Sequence, residues 1–170
     1  RRRRRASEDV PIRVCALFDL PLAAVPFIER QLLRAVRLGA DDDLLRVVQA
    51  LRRHRSDIAI HVRADAGFAT PEMYRVCEEN DVSYSFGFPP NPKLKAMAQH
   101  LLDRAIEQYR STGQKQRLFA AWPYQARSWD RRRLIVAKAE CSAEGTNLRF
   151  VVSSRAGTDA QAAEGLYDSY

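Results

Sequence analysis

Apolar and polar residues alternate along residues 58–65, which is the period of a β-strand with one face against a core. The apolar positions are Ile58, Ile60, Val62 and Ala64, and the positions between them are Ala59, His61, Arg63 and Asp65. Aromatic and β-forming residues over 82–88, ending at Pro89-Pro90, predict a second strand. Between the two, Thr70-Pro71-Glu72 is typical of a helix start. A strand, a helix and a strand in this order predict a parallel pair joined by a right-handed crossover.

The spacing of apolar residues also predicts further amphipathic helices. The segments are 28–38, 44–51, 94–109 and 160–170. We expect Asn91-Pro92 to open the third of them and Gly113 to close it. The aspartates at 41–43 precede the second helix, where acids suit the positive end of the helix dipole. Three adjacent aspartates could instead bind a metal, but consecutive positions at a helix start point in different directions, so capping is the favoured interpretation.

Short strands are predicted on both sides of these helices. Residues 11–27 are largely apolar and are broken at Asp19-Leu20-Pro21, a pattern compatible with two short strands. After Gly113 the expected strands are 117–124, 133–141 and 148–154, with a hairpin turn at 144–147. The elements together indicate an α/β protein.

The positive charge of the chain is carried largely by its first residues. Lys and Arg number 28 against 21 Asp and Glu, a formal net charge of +7. Five of the positive charges are Arg1 to Arg5, and without them the count is 23 against 21. A block of like charges repels itself and stays solvated, so we expect residues 1–10 to be a disordered basic tail. Charge alone therefore gives little support to nucleic-acid binding by the folded part.

Composition excludes several classes of protein. The mean hydropathy is −0.41, and no apolar run approaches the ~20 residues of a membrane-spanning helix, so no membrane partner is expected. No secretory signal follows the basic start. Cys15, Cys77 and Cys141 are odd in number and widely spaced, which fits neither a disulfide framework nor a zinc site. A cytoplasmic location is expected.

Asp65 is the residue whose predicted position favours chemistry. A carboxylate at the carboxyl end of a parallel strand, just before a turn at Gly67, lies where open α/β sheets bind their ligands. The same residue could merely cap the turn or pair with Arg63 on its own strand face, and periodicity leaves both interpretations open. His61 shares that face. The sequence contains no Gly-rich phosphate loop, no paired cysteines and no helical zinc pattern.

Several motifs in one order resemble those of a known enzyme family. They are residues 61–68 (HVRADAGF), 71–74 (PEMY), 87–91 (GFPPN), 124–130 (YQARSWD), 145–152 (GTNLRFVV) and 166–170 (LYDSY). From about residue 39 to residue 170 the sequence resembles DDE transposases of bacterial insertion sequences. The resemblance implies an RNase H-like catalytic core, in which two aspartates and a glutamate hold two divalent metals, Mg²⁺ or Mn²⁺, for phosphoryl transfer on DNA.

By this resemblance Asp65 is the second aspartate of the triad, a catalytic residue and a metal ligand. The serine that usually follows it in the family is Ala66 here. The resemblance also implies that basic residues contact DNA, in particular transposon ends. The predicted nucleic-acid-binding residues are Arg63, Arg127, Arg131, Arg132 and Arg133. A solvated arginine-rich turn is the alternative, since strand alternation points Arg131 and Arg133 away from Arg132.

Two of the three carboxylates of the family are not matched. The family's first aspartate precedes the strand pair that 11–27 resembles, nothing before Asp9 resembles it, and Asp19 falls in a predicted turn. Tyr170 matches the tyrosine that comes before the family's Arg and Glu. One carboxylate cannot hold two metals, so we expect a truncated transposase fragment or remnant that is inactive by itself. The drift from the family between residues 27 and 38 suggests a frameshift or a decayed copy.

The expected fold class is α/β: an incomplete RNase H-like core, a mixed sheet with flanking helices, carrying a strand-rich insertion. The expected boundaries are 1–10 for the tail, 11–112 for the partial core, 113–156 for the insertion and 157–170 for the start of a truncated C-terminal helix. The expected partners are DNA and a second copy of the chain or a full-length transposase, with nucleoid association when DNA is bound. Two alternatives are a non-catalytic DNA-binding or transposase-modulating protein, and a plain α/β domain in which Asp65 only caps a turn.

Overall fold

The computed structural model describes residues 13–16, 40–157, 159–168 and 170. Within these residues the strands are β1 (Arg13–Ala16), β2 (Ile60–Ala64), β3 (Ser83–Phe88), β4 (Gln116–Tyr124), β5 (Arg133–Ser142) and β6 (Gly145–Ser153). The helices are α1 (Ala40–His54), α2 (Pro71–Glu79), α3 (Pro92–Thr112) and α4 (Ala160–Asp168), with a 3-10 turn at Ala66–Phe68. None of the helices in these ranges has the length and apolarity needed to cross a bilayer. The predicted tail, the predicted helix at 28–38 and Asp19 lie outside the described residues.

The six strands form one mixed sheet in the order β1-β2-β3-β6-β5-β4. β2 and β3 are parallel, as the strand-helix-strand order predicts, and Ala64 is paired with Phe86. The other neighbouring strands are antiparallel. Pairing of β3 with β6, for example Phe86 with Val152, joins the three strands after residue 113 to the rest of the sheet. The predicted α/β class is confirmed, and the mixed sheet with its helices is consistent with a partial RNase H-like core.

The two faces of the sheet are covered by different helices. Val62 and Phe86 share one core with Leu44 of α1, Tyr74 of α2 and Leu94 of α3, and each of these side chains is at most 1% exposed. On the other face α4 packs against β4 and β5. The members of that second core are Phe119, Ala121, Val136, Val151, Ala163, Leu166 and Tyr167. The two cores follow from strand alternation, which sends successive side chains to opposite faces.

The helix ends follow the capping residues in the sequence. The side-chain oxygens of Thr70 and Asn91 each accept a hydrogen bond from the backbone amide three residues on, at 3.2 and 2.9 Å. α3 ends at Gly113, whose φ of 66° lies in the left-handed region that favours glycine. Residues 41–43, which are acidic, lie in the first turn of α1, and residues 52–54, which are basic, lie in its last turn. Both sets of charges therefore interact favourably with the helix dipole. These helix predictions are confirmed.

Two local predictions are corrected by the structure. The hairpin between β5 and β6 turns on Ala143 and Glu144, with Ser142 paired to Gly145, instead of on residues 144–147. The ladder continues residue by residue to that pair, so the loop has the two-residue length that suits the twist of a hairpin. The second face of β2, which the alternation predicts to lie away from the core, buries His61, which is 6% exposed.

Candidate functional site

Asp65 lies directly after β2, at the edge of the sheet where the parallel strands β2 and β3 end. Its Oδ1 accepts a hydrogen bond from the amide of Gly67 at 2.8 Å, and its carbonyl accepts one from Phe68 at 3.2 Å. A Cβ atom at residue 67 would lie 3.0 Å from Asp65 Oδ1, so glycine allows this close approach. Asp65 thus caps the 3-10 turn, and none of the ion pairs among the described residues joins it to Arg63.

Tyr170 follows α4 and lies against the turn that holds Asp65. A Cβ atom at Gly87 would be 2.6 Å from Tyr170 Oη and 3.0 Å from the amide nitrogen of Ala66. Burial raises the pKa of Tyr170, and the negative charge of Asp65 raises it further, so the phenol is neutral at physiological pH. The fold therefore brings together Asp65, Gly87 and Tyr170, which belong to three motifs far apart in the sequence.

His61 lies on the same strand face as Asp65 and is buried, with its Nδ1 hydrogen-bonded to Ser83. Ser83 Oγ donates to the carbonyl of Ile60 at 3.0 Å, so it accepts from His61 Nδ1 at 2.9 Å and that nitrogen carries the proton. Burial, followed by the positive charges of Arg155 and Arg63, lowers the pKa of His61 to about 4. The imidazole is neutral at pH 7, and its Nε2 is buried without a hydrogen-bond partner.

Arg133, one of the predicted DNA contacts, lies inside the protein and is occupied by carboxylates. Its Nε and Nη2 donate to the two oxygens of Glu78 at 2.8 and 2.9 Å, and its Nη1 donates to Asp130 at 2.9 Å. The guanidinium carbon is 4.5 Å from the centre of the Tyr74 ring. Burial lowers the pKa of Arg133, but hydrogen bonds to Glu78 and Asp130 raise it more, so the side chain stays charged. Being 7% exposed, it does not offer its charge to a phosphate outside.

The other predicted DNA contacts divide into two groups. Arg131 is exposed but paired with Glu78 at 3.0 Å and with Asp130 at 3.2 Å. Arg127 and Arg132 are also exposed, and they line a cavity of about 570 Å³. Arg63 lies apart from this cavity, in β2, where its Nε is buried without a hydrogen-bond partner.

Lys93 is the cavity residue that the sequence did not single out. It lies in the first turn of α3, and its Nζ is 5.5 Å from the centre of the Tyr124 ring. Arg127 and Arg132 are more than thirty residues away in the sequence, so no local spacing connects them with Lys93. The signal in the sequence was limited to a lysine directly after the Asn91-Pro92 helix start.

Comparison with protein families gives a match that covers most of the chain. The family model described as transposase DDE domain group 1 matches residues 32–170. This range includes every strand and helix described above except β1. The comparisons with curated proteins and with solved structures found no match.

Proposed function

The chain belongs to the DDE transposase family, and we propose that Asp65 is one of the carboxylates with which this domain holds a divalent metal for phosphoryl transfer on DNA. The observation that carries the proposal is the place of Asp65, at the carboxyl end of β2 beside the parallel β3. The packing of Tyr170 against Gly87 and the turn after Asp65 adds to it, because α4 and this turn then form one side of the site.

The chemistry of Asp65 suits such a role only in part. A carboxylate is the hard oxygen ligand that Mg²⁺ and Mn²⁺ prefer, and the bond from Gly67 to Oδ1 fixes its orientation. Members of this family generally use divalent metals. In the part of the chain that the structure describes, however, no three His, Cys, Asp or Glu residues come together as a metal site. Asp65 therefore fits one ligand position and does not complete a site.

It follows in our proposal that residues 1–170 by themselves do not cleave or join DNA. One carboxylate and water compete poorly with the hydration shell of Mg²⁺, which gives up its waters reluctantly. Catalysis would need further carboxylates close to Asp65. The role of this chain's own residues is to orient that carboxylate and to pack its turn. The amide of Gly67 orients it through a hydrogen bond, and Gly87 leaves room for Tyr170 to lie against the turn.

Paramagnetic broadening by Mn²⁺ tests whether Asp65 is a metal ligand even when binding is weak. With the full chain in millimolar Mn²⁺, we expect the amide signals of Ala66, Gly67 and Gly87 to broaden first. Asp65→Asn should abolish this broadening, because the amide keeps an oxygen for Gly67 and loses the charge. The matched control is Asp103→Asn, which removes an exposed carboxylate from α3 and should leave the broadening unchanged. Equal broadening in Asp65→Asn and the parent chain would contradict the proposal.

A second candidate function is a non-catalytic DNA-binding or transposase-modulating protein. Among the described residues no further carboxylates join Asp65 in a metal site, and this favours the second candidate, because binding to DNA phosphates needs cations and no metal. The exposed arginines Arg127 and Arg132 could supply those cations. DNA binding is general in this family. If the parent chain binds DNA but Mn²⁺ does not broaden the amide signals around Asp65, the result would favour this second candidate.

A further inference from the structure

The chain has a groove between the first turn of α3 and the loop that connects β4 to β5. Its cavity of about 570 Å³ is lined by Lys93, Met97, Pro123, Tyr124, Gln125, Ala126, Arg127, Trp129 and Arg132. Three of these residues are cations and none is an acid. We call Lys93, Arg127 and Arg132 together the basic groove.

The charged side chains of the loop at residues 125–132 fall into two groups. Asp130 is the acid of residues 125–132, and it accepts from Arg133 at 2.9 Å and from Arg131 at 3.2 Å. The hydrogen bond from Arg133 lowers the pKa of Asp130, so this carboxylate stays charged and remains with those two arginines. Arg127 and Arg132 instead line the groove.

In the part of the chain that the structure describes, the cations of the basic groove have no carboxylate partner. Lys93, Arg127 and Arg132 are all exposed, and among residues 40–157 none of the ion pairs includes any of them. Three positive charges that no neighbouring carboxylate neutralises, around one concave surface, produce a positive potential there. Such a surface attracts a polyanion.

The walls of the groove are aromatic but do not offer open rings. Tyr124 is 7% exposed and Trp129 is 5% exposed, and each packs its ring against Phe88 and against the other. Asn91 Nδ2 donates to Tyr124 Oη at 3.1 Å, and Gln125 Nε2 donates to the carbonyl of Trp129 at 3.1 Å. Stacking of unpaired bases needs open ring faces, which these rings lack. The groove is therefore suited to phosphates, on a wall held rigid by packing.

We propose that the basic groove binds the phosphodiester backbone of double-stranded DNA. The proposal rests on the proposed function only in taking DNA as the polyanion, and it needs no metal. The groove is separate from Asp65: its wall packs under α3, whereas Asp65 is beside Tyr170 on the face covered by α4. Binding there anchors the duplex independently of its base sequence, because phosphates carry no sequence information.

The test is the affinity of the full chain for a short duplex of random sequence, measured by fluorescence anisotropy in EDTA. The combined variant Lys93→Gln, Arg127→Gln, Arg132→Gln should weaken binding by about tenfold or more at low salt, since each phosphate that is no longer neutralised also keeps its counterions. The slope of log affinity against log salt should fall by about one for each phosphate that the variant no longer binds.

The matched control removes the same number of positive charges, all from exposed positions of α3 that lie outside the groove: Lys95→Gln, Arg104→Gln, Arg110→Gln. It should lose much less affinity and keep its salt slope. Equal losses in the two variants, or no DNA binding by the parent chain at low salt, would overturn the proposal. Displacement of the duplex by millimolar inorganic phosphate at constant ionic strength would identify a small-anion site and would overturn it as well. Because EDTA removes the metal, these results are independent of the Mn²⁺ experiment on Asp65.

Discussion

Asp65 is held by its nearest neighbours in sequence and enclosed by residues distant in sequence. Gly67 donates to its carboxylate, and the 3-10 turn fixes its backbone. Gly87, on the neighbouring strand, leaves room for Tyr170 Oη and for the amide of Ala66. A side chain at residue 87 would collide with both groups, so glycine is required here for Tyr170 and the Ala66 backbone to approach β3 this closely.

The packing of residue 170 on residue 87 predicts a coupled effect on stability. Gly87→Ala should lower the free energy of unfolding by about 1–3 kcal/mol, because the new methyl group overpacks the turn. In a Tyr170→Phe background the loss should be smaller by about 0.5 kcal/mol or more, since the hydroxyl that the methyl group meets is gone. Urea unfolding of the four proteins in this cycle measures the coupling. Strictly additive losses would show that the hydroxyl is not at Gly87.

At the scale of elements, Arg133 joins α2 to the start of β5. Its two hydrogen bonds to Glu78 and one to Asp130 are made by a side chain that is 7% exposed. Tyr84 Oη also donates to Glu78 at 2.8 Å, so β3 is part of the same network. The network holds the loop at residues 125–132 and thereby places the basic groove. Arg133 is thus a positioning residue for the loop.

Arg133→Lys should lower the free energy of unfolding by about 2 kcal/mol, because lysine keeps the charge but cannot make the paired hydrogen bonds to Glu78. The matched control is Arg132→Lys, one position earlier and exposed, which should change stability by no more than about 0.5 kcal/mol. Chemical denaturation measures both. The fluorescence of Trp129, whose ring centre is 5.5 Å from the Arg133 guanidinium carbon, should respond in Arg133→Lys and not in the control. Equal stability of the two variants would refute the positioning role.

At the scale of the whole molecule, one sheet carries two different surfaces. The face under α1, α2 and α3 contains the larger core and ends at the basic groove, whereas the face under α4 ends at Asp65 and Tyr170. Pairing of β3 with β6 links the two parts of the sheet, so both surfaces belong to one framework. The boundaries proposed from the sequence at residues 112 and 156 stay a prediction.

The proposal that residues 1–170 are inactive alone is tested on supercoiled DNA. With Mg²⁺ or Mn²⁺ the chain should not nick the plasmid above the level of a no-protein control, because a single carboxylate does not hold the metals of a phosphoryl-transfer site. The assay follows conversion of supercoiled to open-circular DNA over time. Metal-dependent nicking that Asp65→Asn abolishes would show that the chain is active as it stands.

Local signals in the sequence were enough for most individual elements. Thr70, Asn91 and Gly113 act through neighbours within four residues, so helix boundaries could be read directly. The hairpin after β5 was misplaced, because Gly145 and its neighbours resemble a turn, whereas the register of β5 against β6 over their whole length places Gly145 in the ladder, opposite Ser142. Arg133 was predicted to contact DNA, and its pairing with Glu78 was not foreseen because the two residues are distant in sequence. Lys93 was not singled out because Arg127 and Arg132, with which it lines the cavity, are also distant in sequence.

Periodicity, capping residues and ordered motifs along the chain were enough to establish the α/β class, the parallel pair β2 and β3, the position of Asp65 at a strand end and membership of a transposase family. The fold was needed to show which of the described arginines are paired with carboxylates and which are not, and which residues meet at Gly87. Burial and pairing depend on residues brought together from distant parts of the chain. A charge in the sequence therefore becomes a candidate contact for DNA only when the fold leaves it without a partner.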